Sequence, residues 1–95
     1  MLKERYLEKV KNIVQGLKPS KDWQVFLFGS SVIKERFGDL DLGIMGKVSD
    51  KDISDLKDRF YDSLLPYNVD IVNFNLVSDE FKNNVLNNQI IWIKR

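Results

Sequence analysis

Leu2, Tyr6, Val10, Ile13, Val14 and Leu17 recur at intervals of three and four with charged residues between them. That spacing predicts an amphipathic helix over about the first seventeen residues, stopped by Pro19 and Ser20. Gln24 to Phe28 is β-rich and uninterrupted by charge, which predicts a buried strand ending at Gly29. A short helix is expected from Ser30, carrying Val32 and Ile33 and finished by Gly38. From Asp39 to Met45 the pattern alternates, with Leu40, Leu42 and Ile44 on one face and Asp39, Asp41 and Gly43 on the other.

Further on, Ser49 and Asp52 read as an N-cap pair ahead of a helix whose apolar face is Ile53, Leu56, Phe60 and Leu64, with Pro66 as its stop. Val69, Ile71, Val72 and Phe74 predict a third strand over Asn68 to Phe74, interrupted by Asp70. A last helix follows Ser78 with Phe81, Val85 and Leu86 as apolar contacts, and Gln89 to Ile93 offers a closing strand. Trp23, Phe26, Phe28, Phe60 and Trp92 fall at apolar-pattern positions and are expected in the core.

Only nine residues separate Gly29 from Asp39, fewer than the dozen or so that a parallel crossover needs, so the first two strands should be antiparallel neighbours. The stretch from Gly46 to Tyr67 is long enough for a helical crossover and allows the second and third strands to be parallel. The expectation is an α/β (α+β) chain: a small mixed sheet of three to four strands with helices packed on it, as one domain over residues 1–95.

Composition narrows the chemistry. The 95 residues hold no cysteine and no histidine, which removes disulfides, zinc sites of the usual kind, thiol nucleophiles and every mechanism that needs an imidazole base. Fifteen basic against fourteen acidic residues, without a polybasic run, argues against a long nucleic acid as partner. No apolar stretch approaches the ~20 residues of a membrane span, and the start, MLKERYLEKV, is charged rather than signal-like, so a cytoplasmic protein with no membrane association is expected.

In the predicted topology Gly29 and Ser30, at the end of the first strand, lie beside Asp39 and Asp41, and Asp70 reaches the same edge if the second and third strands run parallel. Asp39 and Asp41 would sit about 7 Å apart on one face, a crowding of negative charge that a hard divalent cation relieves. Mg²⁺ suits acids that arrive without histidine, since it takes a few carboxylate oxygens and completes its shell with water and substrate phosphates. Gly29 would let a backbone approach a phosphate, Ser30 and the following helix start would donate to it, and Lys34 and Arg36 would neutralise its charge. Singly, each feature has a plainer reading: Asp-x-Asp as the solvent face of an edge strand, Gly-Ser as a turn, Asp70 as a loop cap or lysine partner, the two basic residues as a solvated helix face. An EF-hand reading of DLDLGIMGKVSD fails, because its sixth residue is Ile44 and its twelfth Asp50.

Taken together, LFGSS, GDLDLGI and NVDIVNF stand in an order that resembles the minimal nucleotidyltransferases of the polymerase-beta-type fold. The resemblance runs from the strand before Gly29 through Asp70, and NNVLNNQIIWIK is similar to the family's closing helix and strand. It implies that Gly29 and Ser30 hold a nucleoside triphosphate, that Asp39 and Asp41 bind two magnesium ions, and that Asp70 binds the catalytic ion and helps activate the acceptor hydroxyl. It also implies a toxin–antitoxin setting, in which the protein transfers AMP from ATP to a tyrosine hydroxyl of a HEPN-domain ribonuclease toxin. A non-catalytic toxin-binding antitoxin and a nucleotide-binding regulatory module are the alternatives. Two departures stand out: Ser31 occupies a place where the family commonly has arginine, and the gap to Asp39 is about two residues short. A sheet edge near the C-terminus is suited to pairing with a partner or with a second copy.

Overall fold

The structure, a computed structural model, describes residues 2–17 and 22–95. Its elements are α1 (Glu4–Gln15), β1 (Trp23–Phe28), α2 (Ser30–Ile33), β2 (Leu40–Gly46), α3 (Asp50–Tyr61), β3 (Val69–Asn73), α4 (Asp79–Leu86) and β4 (Ile91–Lys94). The helix stop expected at Pro19 and Ser20 lies outside the described residues.

The four strands form one sheet in the order β3-β2-β1-β4. β1 is antiparallel to both β2 and β4, as the short connection to β2 predicts for that pair, and β2 is parallel to β3 across the α3 crossover, as its longer connection allows. β3 and β4 are therefore the edges.

One face of the sheet carries the main core. Trp23, Val25 and Leu27 of β1 join Leu40, Leu42 and Ile44 of β2, against Val10 and Val14 of α1 and Ile53, Leu56 and Phe60 of α3. The helices are there because their periodic apolar stripes have no other place to leave water. Ser49 starts α3 with a reciprocal cap: its hydroxyl accepts from the Asp52 N–H at 3.1 Å, and its own N–H donates to Asp52 at 3.0 Å.

The opposite face is aromatic. Phe26 packs edge-on against Phe74 at 4.8 Å and Trp92 at 5.5 Å, and Phe28 meets Phe74 at 5.3 Å. Gly43 makes room for this layer, since a side-chain carbon there would fall inside the Phe26 ring. Phe26 is thus buried as expected, but in a second layer rather than the main core, and Phe28 and Trp92 are only half-buried.

Three expectations need correction. Leu64 is not on the α3 face: the helix ends at Tyr61, and Leu64 is 88% exposed. The Ser63 hydroxyl, donating to the Phe60 carbonyl at 2.6 Å, takes an acceptor of the last turn and ends the helix before Pro66 can. The helix from Ser30 closes at Ile33, where Lys34 turns extended, rather than running on towards Gly38. Phe81 remains 43% exposed, and α4 has no buried residue at all.

Candidate active site

Parallel pairing of β2 with β3 sets Asp41 directly beside Asp70 in register, so both carboxylates leave the sheet on the same face. Asp39 immediately precedes β2, two residues from Asp41 and on its alternation, although it is not itself part of the strand. Their charges act on one another. Partial burial pushes the Asp41 carboxyl above its ordinary value, and the negative charges of Asp70 and then Asp39 push it further.

Gly29 closes the other side of this cluster. Antiparallel pairing sets Phe28 opposite Asp41, and the turn after Phe28 brings Gly29 so close that a side-chain carbon would lie 2.6 Å from Asp41 Oδ2. Its backbone, at φ 80° and ψ −155°, occupies a region that is almost reserved for glycine. Both requirements select the same residue. Ser30 follows as the first residue of α2 and is half-buried. With only four residues, α2 contributes little macrodipole, so any grip on a phosphate here rests on the approach that Gly29 permits and the donors of Ser30.

Ser31 is fully buried, and its hydroxyl has no hydrogen-bond partner. The step where an arginine was the family expectation therefore presents no cation. Lys34 and Arg36 lie on the exposed segment between α2 and β2.

Two residues that sequence reasoning had not marked position the acids. Phe37 stacks on Tyr67 at 5.0 Å with an angle of 27°, and Tyr6 meets the Tyr67 ring edge-on at 5.6 Å. Phe37 is two residues before Asp39, and Tyr67 three before Asp70, so this stack ties together the two segments that deliver those acids. The Leu40 N–H donates to the Asn68 carbonyl at 2.9 Å and fixes the same junction. The available signal was an aromatic residue just ahead of each acidic segment.

The donor chemistry fits magnesium. The site offers carboxylate oxygens only, and Asp41 carries repulsion that a divalent cation would relieve. Among the described residues no three acidic side chains stand close enough together to hold a metal ion as a group. An open arrangement suits Mg²⁺, which is held by one or two carboxylates and filled out by waters and phosphates.

The fold defines an α/β domain built on a mixed four-stranded sheet. Residues 8–95 match the family described as polymerase beta, nucleotidyltransferase, and the chain belongs to that family. Among solved structures, the fold is similar to the toxin-antitoxin MntA-HpeT, in a mutant with aspartate-to-glutamate changes two positions apart: TM-score 0.69, 18% identity, 92% of this chain and 70% of that chain covered. It is likewise similar to a toxin-antitoxin described with AMP-PNP, at TM-score 0.68 and 19% identity, with 92% and 71% covered. No curated protein matches the sequence.

Proposed function

We propose that this protein is a magnesium-dependent protein adenylyltransferase of the antitoxin kind, which moves AMP from ATP to a tyrosine hydroxyl on a HEPN-domain ribonuclease toxin. The observation that carries the reading is the registration of Asp70 beside Asp41 with Gly29 packed against the same carboxylate. Family membership supports the reaction class. The antitoxin setting draws support from the two similar structures, one with a pair of altered aspartates at the spacing of Asp39 and Asp41, the other with an ATP analogue.

Asp39 and Asp41 would hold two magnesium ions, and Asp70 the one nearer the acceptor. When bound, such ions polarise the α-phosphate and ease ionisation of the attacking hydroxyl. The chain's own residues do the rest. Gly29 admits the polyphosphate to the sheet rim, and Ser30 orients it through its N–H and hydroxyl. Asp70 faces the acceptor and draws its proton away as the new bond from tyrosine oxygen to the α-phosphorus forms. The bond from that phosphorus to the bridging oxygen of pyrophosphate breaks, and pyrophosphate leaves.

The test is transfer of label from α-labelled ATP to a co-expressed HEPN-domain partner in the presence of Mg²⁺. Asp39→Asn and Asp41→Asn should each lower the rate by about a hundredfold or more, the scale of several kcal/mol of lost charge stabilisation. Transfer that survives in both variants removes the metal mechanism.

A second reading is favoured by the buried Ser31, which stands where the family commonly has arginine. In it the domain neutralises its partner by binding alone. Neutralisation by the Asp39→Asn/Asp41→Asn double variant, equal to that of the unaltered protein, would select this alternative.

A further inference from the structure

The two edges of the sheet are unlike. β4 carries Lys94 within the strand, its register against β1 shifts between Val25 and Phe26, and α1 packs on it, all of which discourage pairing with a further strand. β3, with the sequence VDIVN, has no lysine, no proline and an unbroken register against β2. Its ladder pattern also fixes which backbone groups face outward. The Leu40 N–H donates to the Asn68 carbonyl and the Phe74 N–H to the Ile44 carbonyl, so Asn68, Asp70, Val72 and Phe74 turn their backbone polar groups towards β2. Val69 and Ile71 turn theirs away, and among the described residues no hydrogen bond reaches them from outside the sheet.

A groove of about 620 Å³ lies between this edge and the end of α3, with Phe60, Leu65, Tyr67 and Ile71 in its apolar lining. Tyr61 lines it too and is 90% exposed, and Leu64, three residues on, is 88% exposed, so large apolar groups stand in water beside an unpaired strand. The charged groups of the lining are Asp58, Asp70 and Lys57, and Asp41, in register with Asp70, tips the balance to acidic. A second copy of β3 would bring a further carboxylate to this rim, whereas lysine or arginine would be drawn to it. We propose that β3 takes up an extended, basic segment of a partner protein as a fifth strand of the sheet.

Alternation sets the pattern of that segment. Leu42, paired with Ile71, belongs to the core under α3, so side chains opposite Val69 and Ile71 would face the groove on that side of the sheet. The side chain between them would emerge on the other face, about 5 Å from Asp70 across the strands. The segment therefore alternates apolar residues with polar ones, its basic residues sharing the face of the acids. The docking stands on the free edge and the groove alone. That the side chain beside Asp70 is a tyrosine rests on the nucleotidyltransferase reading above.

The probe is a capped synthetic peptide in which valine alternates with lysine and a tyrosine takes the central place. It is titrated into the intact chain and followed by fluorescence polarisation and by amide hydrogen exchange. Binding should slow exchange of the Val69 and Ile71 amides by about tenfold or more, and N-methylation of the peptide valines should abolish it. The analogue with glutamate in place of lysine should bind about tenfold more weakly. Val69→Pro, which removes an outward N–H at the first residue of an edge strand, should lose the peptide. Asp58→Lys, at an exposed position, should weaken it without touching the strand. Absence of binding, equal affinity for the lysine and glutamate peptides, or binding that leaves both amides unprotected overturns the proposal. With Mg²⁺ and α-labelled ATP added, the two readings separate. Docking without label on the peptide tyrosine upholds the edge and counts against the reaction, whereas transfer to a HEPN-domain partner that leaves both amides unprotected upholds the reaction and overturns the docking.

Discussion

Asp41 makes a prediction about pH because its ionised form is disfavoured by the fold. Burial raises its pKa above the ordinary 3.8, and Asp70 and Asp39 add to the rise. The protonated form therefore favours the folded state: that stabilisation is complete below the unfolded carboxyl range and is lost as pH rises through the raised value. Asp41→Asn, neutral at every pH, should be more stable than the parent near pH 7, with the difference closing as pH falls to about 4. Screening at a part-exposed group keeps the gain within about 1 kcal/mol. Urea melts of the two proteins at both pH values measure it, and a parent that is the more stable at neutral pH would contradict the charge crowding. Ser31 poses the opposite kind of question. Its buried hydroxyl lacks a partner, so Ser31→Ala removes an unsatisfied group and leaves a methyl in its place. A stability gain of about 1 kcal/mol in the same urea melts is expected, and a loss of that size would mean that the hydroxyl is bonded.

At the scale of elements, local chemistry was legible and face assignment was not. The α3 start could be read because Ser49 and Asp52 cap one another through their own neighbours, and the structure shows both bonds. Ser49→Ala should cost about 1 kcal/mol in a thermal or urea melt, the usual worth of such a cap. The α3 end was misread because Pro66 is a conspicuous stop, while the Ser63 hydroxyl acts earlier and only in three dimensions. For β1, an unbroken apolar run from Val25 to Phe28 conceals that alternate residues serve different layers. Gly43, in a strand of leucine and isoleucine, was the clue to the second layer, because a glycine inside a strand often marks close approach by a neighbour. The acids were legible as a set because strand alternation and connection length, both plain in sequence, decide their face and edge. The Phe37–Tyr67 stack was not, since it joins segments thirty residues apart.

For the whole molecule, the crowded aspartates disfavour the free chain at neutral pH, and the proposed function gives that crowding a use in binding. A fold of 95 residues has little stability to spare, so carboxylates crowded on one rim imply that something returns the cost when it binds. Magnesium should therefore raise the melting temperature. At a tenfold excess over its dissociation constant the ion contributes about 1.4 kcal/mol, which for a domain of this size is roughly 6–11 °C. Calcium, with the same charge but a larger and more flexible shell, is a useful comparison, because a general charge effect would treat the two ions alike. Asp41→Asn should lose most of the magnesium shift, whereas Asp62→Asn, an exposed acid at the end of α3, should keep all of it. The shift in the parent should also fade at acid pH, as protons take the place of the ion on the same oxygens. Differential scanning fluorimetry across ion concentration and pH reads all of these at once. A magnesium shift that is unchanged in Asp41→Asn would place the ion elsewhere and detach the acidic rim from the chemistry.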